Sequence, residues 1–161
     1  MKKFWLVPVA VLASAAATAQ KLPPAHPLVM EEADTTAVMG PINAVFAVIA
    51  AGDAPALLTH VYAEGRLTAT GVRAIGVSDM RSETWAQFAK RLTPDTTFEE
   101  RIADPAIEID GNVAMVWARY AVRKTGRVTN CGFDHFDLIR ENGIWKIMNL
   151  SFSSRLTDCA D

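Results

Sequence analysis

Apolar residues dominate three long segments near the end of the chain, at positions 112–124, 127–140 and 144–154. Their β-branched and aromatic residues predict β-strands. Thr125-Gly126 and Asn142-Gly143 separate the segments, and such pairs favour two-residue hairpin turns. Both faces of these strands are rich in apolar residues, so something must cover each face. The pattern predicts a cupped sheet with helices inside, a partner subunit outside, and a pocket where polar residues interrupt the inner face.

The first half of the chain predicts three helices. Residues 31–51 carry apolar side chains at helical spacing, and Pro41 is expected to kink or split this helix because proline cannot donate a hydrogen bond there. Asp53 is predicted to cap a short second helix over residues 54–60. Apolar spacing predicts a third helix over residues 82–92, beginning at the serine.

Shorter strands are predicted between and after these helices. Residues 66–70 and 72–77 are expected to form two short strands around Gly71. Residues 98–109 predict a longer strand that Asp104-Pro105 interrupts, and a proline there suits an edge strand or a bulge.

The order of these elements resembles the NTF2-like superfamily, which includes ketosteroid isomerases, scytalone dehydratase, polyketide cyclases of the SnoaL type and non-catalytic members. The similarity is greatest to exported SnoaL-like or DUF4440-like bacterial proteins, and five segments carry it: 52–54, 100–105, 110–120, 131–140 and 143–147. The resemblance implies an α+β fold, an NTF2-like cone with three N-terminal helices packed in a strongly curved, mostly antiparallel sheet. It implies little about function, because one fold hosts many chemistries.

The N-terminus predicts export. Lys2 and Lys3 precede a short apolar stretch, and small residues follow up to a cleavage site after Ala19. We therefore expect a signal peptide at 1–19, a proline-rich tether at 20–30 and one NTF2-like domain at 31–161. No later segment is expected to cross a membrane, and the mature protein should be periplasmic or secreted.

Charge and cysteine content narrow the partners. The chain has 16 basic and 18 acidic residues and no basic run, which argues against nucleic acid as a partner. Cys131 and Cys159 are expected to form a structural disulfide, because exported proteins enter oxidising compartments in which such pairs form. Neither cysteine has C-x-x-C spacing and no histidines stand at ligand spacing, so neither a metal site nor a cofactor is predicted.

Counting back from the two turns predicts how the long strands pair. Trp117 should lie opposite Asp134, and Phe136 opposite Asn149. Because side chains alternate along a strand, the predicted pocket face carries Met115, Trp117, Arg119, Asp134, Phe136, Leu138, Trp145, Ile147, Asn149 and Ser151. The predicted outer face carries Val116, Ala118, Tyr120, Val122, Cys131, Phe133, His135, Asp137, Ile139, Met148, Leu150 and Phe152.

Asp134 is the candidate catalytic residue. Aromatic neighbours would disfavour its charged form and suit it to act as a general acid or base, whereas a nearby Arg119 would favour the ionised form. His60 either lies at the pocket mouth or only interacts with the dipole of the second helix. The predicted ligand-binding residues are Trp117, Arg119, Phe136, Trp145, Asn149, Ser151 and His60.

Two functions follow from this pattern. The first is an exported binding protein, a homodimer through the outer sheet face, whose apolar and aromatic pocket holds a small molecule with polar groups at its mouth. The alternative is a cofactor-free lyase, isomerase or hydrolase. In that case Asp134 transfers a proton while Arg119, Asn149 or Tyr120 stabilises developing charge.

Overall fold

The structure is a computed structural model that describes residues 32–74 and 77–159. The predicted signal peptide and the predicted tether lie outside the described residues. The helices are α1 (Glu32–Ala51), α2 (Ala54–His60) and α3 (Trp85–Ala89). The strands are β1 (Arg66–Ala74), β2 (Val77–Thr84), β3 (Phe98–Asp110), β4 (Val113–Lys124), β5 (Arg127–Glu141) and β6 (Ile144–Ser154).

The strands form one sheet in the order β2-β1-β6-β5-β4-β3. β1 pairs with β6 in parallel, and the other neighbours pair antiparallel. The three helices precede the long strands and pack on one face of the sheet. This arrangement confirms the predicted α+β fold with a mostly antiparallel sheet.

Helix α1 runs without a break through Pro41, so the expectation of a split helix was wrong. A proline inside a helix costs about 3 kcal/mol or more. Val38 on one side of Pro41, and Ile42 and Val45 on the other, are fully buried in the core. Burial of this face on both sides of the proline offsets the lost backbone hydrogen bond.

Residues Asp34–Ala51 of α1 are also long and apolar enough to cross a membrane, judged by length and composition alone. This corrects the expectation that no segment after the leader qualifies. In the structure the helix contacts β3 and β6 and contributes buried side chains to the core.

The starts of the two short helices show what their sequences specify. The carboxylate of Asp53 accepts a 2.9 Å hydrogen bond from the backbone N–H of Ala56, as expected for the α2 cap. Helix α3 begins after Thr84 and not at Ser82, because Thr84 and Gln87 form a reciprocal capping box. Ser82 instead belongs to β2, which the sequence prediction placed too early and made too short.

Gly71 lies within one continuous strand, β1, and does not separate two strands as predicted. Its φ is +119°, and a Cβ at this position would lie 2.2 Å from the carbonyl oxygen of Ser154 on β6. Glycine therefore allows β1 to approach β6 closely. The predicted interruption of β3 is confirmed, since the pairing with β4 is irregular between Ala103 and Ala106.

Both hairpin turns form as predicted, with positive φ at all four turn residues. Lys124 faces Arg127 and Glu141 faces Ile144. The predicted pairing nevertheless fails a few residues from each turn. Thr129 is an extra residue on β5, and one further residue is inserted on β6 before Asn149.

These two β-bulges exchange part of the predicted faces. Trp117 lies opposite His135 and not Asp134, and Asp134 lies opposite Ala118 on β4 and Phe152 on β6. The β5 face assignments were right, whereas those of β4 and of the second half of β6 were wrong. The inner face carries Ala114, Val116, Ala118, Tyr120, Asp134, Phe136, Leu138, Trp145, Ile147, Leu150 and Phe152.

The disulfide ties the end of the chain to the sheet. Cys131 on β5 is joined to Cys159, with their Cα atoms 5.7 Å apart, which matches the predicted pairing. Arg155 forms a two-way backbone hydrogen-bonded bridge with Cys131. The segment after β6 is therefore held against β5 by both a covalent bond and backbone hydrogen bonds.

Candidate functional site

A cavity of about 350 Å³ lies between the helices and the concave face of the sheet. Helices α1 and α3 form one side, and the sheet forms the other. Its lining is Val45, Phe46, Ile49, Leu67, Trp85, Phe88, Arg91, Leu92, Thr93, Asp95, Phe98, Glu100, Tyr120, Val122, Asn130, Asp134, Leu150 and Phe152. The volume is within the range of small-molecule sites, and most of the lining is apolar or aromatic.

Asp134 is the one charged side chain among the buried residues of the described chain, with 1% of its surface exposed. Its Oδ2 atom is buried and has no hydrogen-bond partner. Burial raises the pKa of Asp134 to about 7. A carboxyl group with an unsatisfied oxygen beside an apolar cavity is ready to accept a hydrogen bond from a ligand.

Glu100 on β3 lines the same cavity and was missed by the sequence prediction. Part of its surface remains accessible, yet burial, followed by the charge of Asp134, raises the pKa of Glu100 well above its usual range. Two carboxyl groups in one weakly solvated site cannot easily both ionise. Burial therefore favours the protonated form of both acids.

Tyr120 lies on β4 between the residue that pairs with Glu100 and the residue that pairs with Asp134. Its hydroxyl is already hydrogen-bonded within the protein. The oxygen lies 2.5 Å from Oδ1 of Asn130 and 2.9 Å from the carbonyl oxygen of Ser153. Burial raises the pKa of Tyr120 above its usual value. The hydroxyl donates to the protein, which leaves no second proton to offer a ligand.

Ion pairs surround the rim of the cavity. The guanidinium of Arg91 lies 4.7 Å from the ring centre of Phe88, and its Nε donates to Glu83 at 3.1 Å. Hydrogen bonds from Lys124, and then from Thr97, lower the pKa of Asp95 to about 2. At the rim Arg91 is therefore paired with Glu83 and Asp95 with Lys124. The two acids deeper in the site have no such partner among the described residues.

Of the residues predicted to bind a ligand or to act on it, Asp134 and Tyr120 line this cavity. Phe136 and Trp145 are on the predicted face but are packed into the hydrophobic core. The ring centres of Phe136 and Phe46 are 6.2 Å apart in an edge-on contact. His60, the last residue of α2, is not part of the lining.

The other predicted binding residues lie outside the cavity because of the two bulges. Trp117 is 47% exposed on the outer face, and Arg119 beside it forms an ion pair with Asp104. Asn149 connects strands: its Oδ1 accepts from the N–H of Arg66, and its Nδ2 donates to a carboxylate on β5. Ser151 is exposed.

A second depression, of about 390 Å³, lies on the outer side of β3, β4 and β5. Its basic side chains are Arg101, Arg119, Arg123 and Arg155. Arg101 and Arg119 are largely exposed and are paired with carboxylates. Because water screens exposed ion pairs strongly, this surface is a weaker candidate site than the apolar cavity.

Glu100 and the aromatic lining had a signal that sequence reasoning could have used. Phe98, Glu100 and Ile102 alternate along β3, so an acidic residue stands where the pattern expects an apolar one. Phe46, Trp85 and Phe88 were identified only as helix residues. Their contribution to a cavity depends on how the helices lie across the sheet, which periodicity does not show.

Carboxylates and other potential ligands do not cluster into a metal site within residues 32–74 and 77–159. No three His, Cys, Asp or Glu side chains in that part of the chain are placed to hold one ion. The chemistry available in the cavity is that of a carboxyl pair among aromatic rings.

Solved structures with the same architecture come from several bacteria. A protein of unknown function with a cystatin-like fold from Nostoc punctiforme PCC 73102 is 10% identical, with a TM-score of 0.63 over 80% of this chain and 96% of that one. An NTF2-like protein of unknown function from Methylobacillus flagellatus KT is 17% identical (TM-score 0.58; 79% and 96% covered). An NTF2-like "putative dehydratase" from Streptomyces avermitilis is 14% identical (TM-score 0.59; 78% and 98% covered).

At such identities these similarities establish the fold and nothing more. No functionally curated protein matches the chain in sequence. The profile of the family described as "Putative lumazine-binding" matches residues 33–153, which is most of the chain and includes the cavity. The chain is a member of this family, and it has the fold of the NTF2-like proteins.

Proposed function

We propose that the protein is an exported binding protein that holds a flat, largely apolar small molecule in the cavity between α1, α3 and the sheet. The observation that carries this proposal is the aromatic cavity of about 350 Å³ with a buried, unpartnered carboxylate oxygen on its wall. A buried polar atom without a partner costs free energy. A ligand with a hydrogen-bond donor would recover that cost.

The family description supports a heteroaromatic ligand. Lumazine, the compound in that description, is therefore the first probe. Phe46, Trp85 and Phe88 offer rings on the helical side, and Leu150 and Phe152 offer apolar surface on the sheet. A ring system between these surfaces would bury most of its area.

Native mass spectrometry of protein purified without denaturation tests for a retained ligand, and calorimetry with lumazine tests binding directly. Val122→Trp should fill the cavity, since Val122 belongs to its lining. Ala121→Trp is the matched control, because the neighbouring residue on β4 points to the outer depression. Circular dichroism and thermal melts establish that both variants fold.

Binding by the wild type and Ala121→Trp, with loss in Val122→Trp, would support the proposal. Equal binding by all three proteins would place the ligand elsewhere. Absence of both a retained mass and any binding of aromatic probes would refute a binding role for the cavity.

A second candidate function is proton transfer, favoured by the raised pKa of Asp134, about 7. A carboxyl group with such a pKa can accept and return a proton near neutral pH. The hydroxyl of Tyr120 already donates to the protein, and Arg119 lies on the outer face. Two of the groups expected to stabilise developing charge are therefore not available to a ligand in the cavity. These placements favour binding over catalysis.

Deuterium exchange distinguishes the two functions. A ligand incubated with the protein in D₂O should gain deuterium at carbon if Asp134 transfers protons, and Asp134→Asn should slow that gain by about a hundredfold or more. A ligand that leaves the protein with unchanged mass would support a binding role.

The homodimer belongs to the same proposal. Trp117 is half-exposed on the outer face, stacks on Phe133 at 5.2 Å between ring centres, and lies 6.0 Å from the ring of His135. An exposed aromatic cluster of this kind suits a subunit interface.

Export is supported by the leader-like N-terminus and by the disulfide, and intact-mass measurement of the secreted chain would locate the cleavage site.

A further inference from the structure

The two acids of the cavity differ from the other charged groups that line it. Arg91 and Asp95 are paired with Glu83 and Lys124 at the rim. Neither Glu100 nor Asp134 forms an ion pair with any lysine, arginine or histidine in the part of the chain that the structure describes. The deeper cavity thus contains two carboxyl groups and no counter-charge of its own.

The hydrogen bonds around the cavity also leave one oxygen of Asp134 without a partner in the described chain. Oδ2 of Asp134 is fully buried and accepts no hydrogen bond. Tyr120, which also lines the cavity, donates its hydroxyl proton to Asn130 or to the carbonyl of Ser153. No group of the described residues donates to this oxygen, and the cavity that Asp134 lines is where a ligand can supply a donor.

We propose that the ligand of this cavity is a flat apolar base whose protonated nitrogen binds against the carboxylates of Asp134 and Glu100. This inference rests on the proposed binding function and specifies its ligand class. A cation supplies both the missing charge and the missing N–H donors, and charged hydrogen bonds are the stronger kind. An anion would be repelled, and a neutral donor would leave the charge of the pair uncompensated.

The proton balance of binding is simple. Burial raises the pKa of both acids, and the charge of Asp134 raises that of Glu100 further, so the empty site holds protons more tightly than two exposed carboxyl groups would. The ligand arrives protonated and stays protonated, and protons held by the pair are released to solvent. Affinity should therefore rise with pH until the ligand itself begins to deprotonate.

The groups that could otherwise produce this pH dependence are few. Those lining the cavity are Arg91, Asp95, Glu100, Tyr120 and Asp134, contributed by β3, β4, β5 and the segment after α3. The lining residues of α1, α3, β1 and β6 do not titrate. His60 and His135, the histidines of the described chain, are not part of the lining.

Three probes of one shape test the proposal: 2-naphthylmethylamine, 2-naphthylmethanol and 2-naphthoate, measured by calorimetry at about pH 8, where the pair is most ionised. The amine should bind at least about tenfold more tightly than the alcohol, and the carboxylate should bind most weakly. Repeating the amine titration in buffers of different ionisation enthalpy should show a net release of protons on binding.

Asp134→Asn and Glu100→Gln should each remove most of the preference for the amine and leave the affinity for the alcohol nearly unchanged. Glu108→Gln is the control, because Glu108 is an exposed acid on the same strand as Glu100 and does not line the cavity. That variant should keep the full preference. The use of two separate acid variants keeps the test valid if one of them fails to fold.

Equal affinity for amine and alcohol, or tightest binding of the carboxylate, would overturn the assignment of ligand class and leave the proposed binding function standing. A preference for the amine that survives in both acid variants would also overturn it. Failure of all three probes and of lumazine to bind would remove the binding function and this inference together.

Discussion

The indole N–H of Trp85 donates a 3.1 Å hydrogen bond to the carbonyl oxygen of Met148. Met148 is the residue that the bulge inserts into β6 between the partners of Leu138 and Asp137. Trp85 is fully buried and lines the cavity. One hydrogen bond therefore connects helix α3 to the irregularity that turns Leu150 and Phe152 toward the cavity.

Trp85→Phe should lower the free energy of unfolding by about 1–3 kcal/mol, because the carbonyl of Met148 loses its donor and the core loses volume. Urea denaturation measures the change. Trp117→Phe, on the outer face, is the control and should cost less than about 1 kcal/mol. Equal costs for the two variants would contradict the role given to the Trp85–Met148 bond.

Asp134 should make the unliganded protein less stable as the pH rises. Its folded-state pKa of about 7 lies above its unfolded value, so the folded state binds the proton more tightly. Stability contributed by this proton is present at low pH and is lost as the pH approaches 7. Between the unfolded-state and the folded-state pKa of Asp134, the free energy of unfolding should fall by about 1.4 kcal/mol for each pH unit.

Thermal melts between about pH 5 and pH 8 check this prediction. Asp134→Asn should reduce the slope of the profile, because an amide does not ionise, and Glu100 should account for the slope that remains. A wild-type profile that rises over this range, or that is unchanged in the variant, would show that Asp134 ionises normally in the folded protein.

Tyr120→Phe should destabilise the protein without weakening ligand binding. The hydroxyl donates to Asn130 or Ser153, so its removal should cost about 1–2 kcal/mol of unfolding free energy. Affinity for a bound aromatic probe should stay within about twofold, well below 1 kcal/mol. A tenfold loss of affinity at unchanged stability would instead indicate that the hydroxyl contacts the ligand.

Trp117→Glu should convert the proposed dimer to a monomer, since it places a charge in the aromatic cluster of the outer face. Sedimentation velocity at several concentrations measures the change in mass. Met80→Glu is the control, because Met80 is 71% exposed on β2, and β2 is the edge strand on the other side of the sheet from β4 and β3. A wild-type monomer, or a Trp117→Glu dimer, would exclude this face as the interface.

Removal of the disulfide by the double substitution Cys131→Ala and Cys159→Ala should lower the unfolding free energy by roughly 3 kcal/mol, as loop-closure entropy suggests for a loop of this length. Chemical denaturation with and without a reductant measures it. The reductant should destabilise the wild type and leave the variant unchanged. Equal stability of variant and wild type would show that the bridge contributes little.

The local features of this fold were readable residue by residue. Asp53 was recognised as a cap because a short acidic side chain before an apolar helix accepts backbone N–H bonds. Thr125-Gly126 and Asn142-Gly143 were recognised as turns, and both adopt the positive φ angles that such turns need. The Cys131–Cys159 pairing followed from the cysteine count and the expected compartment.

The candidate site was only partly readable. Asp134 was singled out correctly as a lining residue, and Glu100 was missed. Trp117 and Arg119 were assigned to the pocket because the strand pairing was counted as regular from each turn. One extra residue on β5 sufficed to move them to the outer face.

The sequence by itself determined the helices, the long strands, their turns and the disulfide, because each depends on neighbouring residues or on residue type alone. Tertiary structure decided which face of β4 and β6 is inside, because a bulge depends on contacts between strands and helices, such as that of Trp85 with Met148. It also decided that Glu100 and Asp134, 34 positions apart in the chain, line one cavity. Proximity of that kind is created only when β3, β4 and β5 curve together around the helices.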